Sequence, residues 1–174
     1  MKNRILVAVL SLFLVCGWQA EKAISKSKDV FSIYLVKNSQ YYFKSPKKLD
    51  VKNLVLEDVP LLTVDSITNY TWHSHRVTFP LRVKEGLKKR EPLLHYLFVV
   101  VANDERIYWG MFKDIDDSFV SSYPVIFLLP RNDVSTSIPN KLMISKAQNL
   151  ENNVDIRGDM RIYNALKDSG KLLP

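Results

Sequence analysis

Tyr96-Leu97-Phe98-Val99-Val100-Val101-Ala102-Asn103-Asp104-Glu105-Arg106-Ile107-Tyr108-Trp109-Gly110-Met111-Phe112 reads as two strands joined by a tight polar turn. The first half is an unbroken apolar run, which suits a strand buried on both faces. The second half is aromatic and β-branched, which suits a pleated surface with large cross-strand neighbours. Asn103-Asp104-Glu105 supplies the turn, because Asn and Asp tolerate left-handed backbone angles and bond their own main chain. A hairpin of this kind organises a sheet without naming an activity.

Further strands are expected at Val30–Lys37, Val51–Leu56, Arg76–Phe79, Pro124–Leu129 and Lys141–Lys146. Thr63 is placed to cap a single helical turn through Ile67, and Leu81–Arg90 has the composition of a short helix. Asp159 is a good N-cap for a terminal helix whose apolar stripe is Met160, Ile162, Tyr163, Ala165 and Leu166, with Gly170 as its stop. Together these elements predict a single α+β domain over 29–174. Its mostly antiparallel sheet should hold roughly five to seven strands, with a C-terminal helix and short helices packed on one face. A chain of 174 residues, 47% hydrophobic, can bury a core without disulfide or metal staples.

The N-terminus points to a compartment. Met1-Lys2-Asn3-Arg4 is a basic head, and Ile5 to Val15 is apolar apart from Ser11. That run is about eleven residues, against the roughly twenty of a spanning helix, and small residues follow it. The layout is that of a secretory signal peptide over 1–20, with a polar linker at 21–28. The lone cysteine, Cys16, ends the apolar run in Phe13-Leu14-Val15-Cys16, which resembles a bacterial lipoprotein processing site. Val15 departs from the small residue that such sites place before the cysteine, so cleavage after Gly17 or Ala20 competes with lipidation of Cys16. The expected location is extracytoplasmic, as a membrane-anchored lipoprotein or a secreted domain.

The net charge is +7 and the pI near 9.4. Charge of this size can serve an anionic polymer or lipid, through Lys44, Lys47 and Lys48 or the Lys88-Lys89-Arg90 run, though a solvated surface is the commoner explanation. Nucleic acid is not an expected partner of an exported chain. His73-Ser74-His75 would turn two imidazoles to one side of a strand, where a metal shared with His95 or an oxygen ligand would make an envelope hydrolase or metal-dependent enzyme. Asp114, Asp116 and Asp117 begin with calcium-loop spacing, but Phe119 stands where the turn glycine belongs. Glycine-rich phosphate loops and Gly-x-Ser-x-Gly elbows are missing from the sequence. Tyr108, Trp109 and Lys113 are the candidate ligand-binding residues, as an aromatic and basic surface for an envelope protein or polymer. No cofactor is expected.

Leu56–Thr63, Phe98–Tyr108 and Arg157–Leu172 resemble segments of small bacterial exported lipoproteins of unknown activity, in which a lipidated signal precedes one compact α/β domain. The order Pro-Leu-Leu-Thr, strand, Val-Val-Val-x-Asn-Asp-Glu-Arg-Ile-Tyr is also distantly similar to the extracytoplasmic head domain of the protein-translocase accessory subunit. This chain departs from that subunit in lacking its multiple membrane spans, so the resemblance implies a fold and a location, and supplies no catalytic residues. The reading it supports is a non-catalytic envelope binding or interaction module.

Overall fold

A computed structural model describes residues 29–39, 49–90, 93–114, 121–128, 140–147 and 154–174. The signal segment with Cys16, the linker, Lys44, Lys47, Lys48, Asp116, Asp117 and Phe119 lie outside the described residues.

The described strands are β1 (Phe31–Leu35), β2 (Leu62–Thr63), β3 (Asn69–Thr71), β4 (Arg76–Thr78), β5 (Leu97–Ala102), β6 (Glu105–Asp114), β7 (Val125–Leu128), β8 (Lys141–Ser145) and β9 (Leu172–Leu173). They form one sheet in the order β2-β1-β5-β6-β7-β8-β4-β3-β9. The α+β class therefore stands, but the sheet has nine described strands and is mixed: β6 pairs with β7, and β3 with β9, in parallel. The extra strands are two or three residues long, too short to leave a periodic signature.

The hairpin is where the sequence places it. Asn103 and Asp104 both have positive φ, 52° and 66°, the backbone of the turn whose twist matches its flanking strands. Asn103 N–H donates to Val30 O and Asp104 N–H to Asp29 O, each at 3.1 Å, while the Asp104 carboxylate accepts the Asp29 N–H at 2.8 Å. The turn is thus stitched to the start of β1. A register shift sets Val100 opposite Tyr108 but Val101 opposite Arg106, leaving Ile107 as the extra residue of a bulge.

The sheet curls until β1 and β3 come together. β1 and β3 are six strand spacings apart in the sheet order, about 29 Å if it were flat. Yet the rings of Phe31 on β1 and Tyr70 on β3 sit 5.9 Å apart, edge to face. The inner face holds the main core, including Phe31, Ile33, Phe98, Tyr108, Phe112 and Ile144. Helices α1 (Leu81–Lys88) and α2 (Met160–Asp168) contribute Leu87, and Ile162, Ala165 and Leu166, to that core. The Asp159 side chain caps α2 by accepting the Arg161 N–H at 2.9 Å, and Gly170 follows at φ 66°. Met160 is exposed rather than part of the apolar stripe.

Two local expectations are corrected. Val51–Leu56 is not a strand: Val51–Asn53 is a 3-10 turn, and only Leu56 bridges, to Val36. The Asp50 carboxylate caps that turn, and Arg106 donates to the Lys52 and Leu54 carbonyls at 2.8 and 2.6 Å. Thr63 likewise ends β2 instead of starting a helix, because its amide and hydroxyl close a turn with Ser66.

Candidate functional site, a buried polar corner

Three elements meet where the curled sheet closes. Residues 72–75 form the turn between β3 and β4, β6 presents Tyr108 from the opposite wall, and the segment before α2 brings Asp155 and Arg157.

His75 sits at the end of its turn with φ 47°, a left-handed conformation that costs a residue bearing a Cβ about 1–2 kcal/mol. It is only 7% exposed, its Nδ1 lies 2.9 Å from the Tyr70 hydroxyl, and its ring meets Trp72 edge-on at 5.4 Å. Trp72 in turn meets Tyr163 of α2 at 5.1 Å. Burial, followed by the charge of Arg157, lowers the His75 pKa from 6.5 to about 4. At neutral pH the imidazole is therefore uncharged.

Arg157 is gripped twice by Asp155, through Nε at 2.8 Å and Nη2 at 2.6 Å, and donates from Nη1 to Ile144 O at 2.6 Å. These bonds hold the Asp155 carboxyl below its usual range. Ile144 is also the residue whose N–H donates to His75 O, at 3.0 Å. One residue of β8 thus ties the turn to the segment before α2.

Tyr108 is 3% exposed, and among the described residues its buried hydroxyl has no hydrogen-bond partner. Burial raises its pKa well above 10, as it does for Tyr70, and Tyr70, Arg157 and Asp155 act electrostatically on it. β6 and β3 are four spacings apart in the sheet, so this meeting also depends on the curl.

The sequence candidates are redistributed by this geometry. His73 and His75 do not share a side of a strand. Both lie in the turn, His73 is exposed with Nδ1 2.9 Å from the Pro174 carbonyl oxygen, and His75 turns inward to Tyr70. Among the described residues no three His, Cys, Asp or Glu side chains gather to hold a metal.

Tyr108, Trp109 and Lys113 do not make one exposed surface. Tyr108 faces the main core, whereas Trp109 packs on the opposite face against the second core cluster and donates from Nε1 to Leu49 O at 3.2 Å. Lys113 is only 4% exposed. Alternation along a strand sends neighbours to opposite faces, so adjacency in sequence could not place them together. In the basic run, Lys88 lies 3.5 Å from Glu85 and Arg90 3.4 Å from Glu57, so two of its three cations have carboxylate partners.

The corner was missed in the sequence because its members are spread from 70 to 157. Of its members the sequence singled out His75, paired with His73 as a metal ligand, and Tyr108, as a surface residue; nothing local marks Tyr70, Trp72, Asp155 or Arg157 as their companions.

The outer side of the segment before α2 inverts the ordinary pattern. Val154, Ile156 and Met160 are 62%, 38% and 58% exposed, while the intervening Asp155 and Arg157 turn inward and pair.

No family model matches the chain, and neither a curated protein nor a solved structure matches it.

Proposed function

We propose that the chain is an exported, non-catalytic binding or interaction module of a bacterial envelope, released into the extracytoplasmic space or tethered to the membrane through a lipid on Cys16. The basic head and the apolar run Ile5–Val15 support export. The observation that carries the interaction reading is the outward apolar ridge of Val154, Ile156 and Met160. Ordinary folding places such side chains inside and their charged neighbours outside. Here the Asp155–Arg157 pair and the Asp159 cap fasten the backbone in the inverted arrangement. A ridge held in that way loses little conformational entropy when a partner covers it. The contact would be made by a protein surface with a complementary apolar groove.

A photo-crosslinking residue placed at Ile156 in the native cells should give one discrete adduct in the envelope fraction. The same residue at Lys89, exposed beyond α1, should give none. Equal labelling from both positions, or no adduct at Ile156, would remove the ridge as the docking surface.

A further inference from the structure

The Tyr108 hydroxyl differs from the Tyr70, His75, Asp155 and Arg157 groups of the corner. The Tyr70 hydroxyl has His75 Nδ1, and Arg157 has Asp155 and the Ile144 carbonyl. Tyr108 Oη, by contrast, is sealed from solvent with no partner among the described residues. Ser74, on the turn that carries His75, holds the other such side-chain oxygen among the described residues. Buried hydroxyls are almost always bonded, to protein or to ordered water, because desolvation is costly when nothing replaces the lost bond.

We infer that the interior of the curled sheet, at Tyr108 beside Tyr70, is a binding site for one small neutral oxygen acceptor: an ordered water or the hydroxyl oxygen of an organic guest.

The chemistry follows from what surrounds the hydroxyl. A tyrosine that burial keeps protonated has a hydrogen to donate, so the missing partner must accept. The partner must also be uncharged. Asp155 and Arg157 neutralise each other, and the guanidinium's Nε, Nη1 and Nη2 already donate to the Asp155 carboxylate and the Ile144 carbonyl. A buried anion would therefore find no counter-charge, and the apolar side chains around Tyr108 would not solvate it. The guest must be small, since Tyr108 is enclosed by a packed core. This site lies on the inner face and stands independently of the docking ridge, so either can fail alone.

The test is Tyr108→Phe in the full mature chain, which keeps the ring and removes only the hydroxyl. If the hydroxyl is bonded to a guest, the unfolding equilibrium constant measured by urea titration should rise about five- to tenfold. If the constant falls or does not move, the hydroxyl was unpartnered and the site does not exist. Native mass spectrometry and a high-resolution crystal structure separate the sources. A co-purifying organic mass that Tyr108→Phe loses identifies a guest with its own hydroxyl. A bare chain, with a single density peak within hydrogen-bond distance of Tyr108 Oη, identifies water. A bare chain with no such peak overturns the inference.

Discussion

The β5–β6 hairpin and the polar corner are both buried, yet they are held by different forces. In the hairpin, a ladder of backbone bonds sets the geometry and nearly every inward side chain is apolar, from Phe98 and Val100 to Phe112. In the corner, side chains set the geometry: Tyr70 holds His75, Asp155 holds Arg157, and both sides are tied to Ile144. Backbone ladders and apolar packing respond to volume, whereas hydrogen-bonded ionisable groups respond to charge. The two regions should therefore break under different perturbations.

Gly110 tests the volume side, with the largest expected effect. A Cβ there would lie 2.3 Å from the Phe98 ring tip and 2.5 Å from the Pro124 carbonyl oxygen. Phe98 is the direct cross-strand partner of Gly110, and its ring already packs on Phe112 at 5.4 Å, so it has little room to retreat. The Pro124 oxygen belongs to the loop entering β7 and accepts the Met111 N–H, so moving it costs a ladder bond. Gly110→Ala should cost about 3 kcal/mol or more, above the ordinary overpacking range, because backbone must shift. The check is the urea midpoint, and the loss should be the same at pH 7 and pH 5. A loss under about 1 kcal/mol would mean that the hairpin is less tightly packed than its backbone implies.

His75 tests the charge side. Its folded pKa of about 4 lies below the unfolded value near 6.5, so between those values the unfolded chain binds the extra proton. Stability should be intact above pH 6.5, fall as pH drops toward 4, and then stop falling on this residue's account. The whole loss is up to about 3.5 kcal/mol at 1.4 kcal/mol per unit. Asp155, whose pKa is depressed chiefly by the Arg157 hydrogen bonds, adds a separate loss only below the usual carboxylate range. His75→Asn, which tolerates positive φ and carries no titrating ring, should flatten the slope between pH 6.5 and 4 while leaving the acidic limb. An unchanged slope in that variant would place the acid sensitivity elsewhere.

The same division explains what could be read from the sequence. The hairpin, β1, β4, β7, β8 and the capped α2 announce themselves through local patterns of period two or 3.6, flanked by turn residues. Elements written in side-chain bonding did not. Val51–Asn53 has strand composition, but the Asp50 cap and the Arg106 bonds to its carbonyls wind it into a 3-10 turn. His73 and His75 looked like a pair because spacing was the only information available. Their fates diverge because Tyr70, five residues before His75, claims one ring, and chain from the far C-terminus meets the other. Lys113 sits among the aromatics of β6, and nothing in its sequence neighbourhood signals that the strand carries it inside. Closure of the sheet is a further global property, since it rests on pairings between segments distant in sequence, β4 with β8 and β3 with β9.

The smallest expected effect sharpens the contrast, because both regions contain non-glycine residues at positive φ. Asn103 has φ 52° in the hairpin turn and His75 has φ 47° in the corner. Relieving the strain with glycine should act differently at the two sites. In the hairpin turn the backbone amide of Asn103 already makes its bond to Val30, so Asn103→Gly keeps the bond and adopts the angle freely. Its stability should change by no more than about 0.5 kcal/mol in either direction, relief of strain being set against the greater entropy of the unfolded chain. His75→Gly gains the same relief but deletes the Tyr70 bond and the Trp72 contact, stranding the buried Tyr70 hydroxyl, and should be a net loss of about 2 kcal/mol. Thermal midpoints of the two variants at neutral pH decide the matter. If both glycines were neutral, the corner's side-chain bonds would contribute nothing net, and the curl would be held by apolar packing alone.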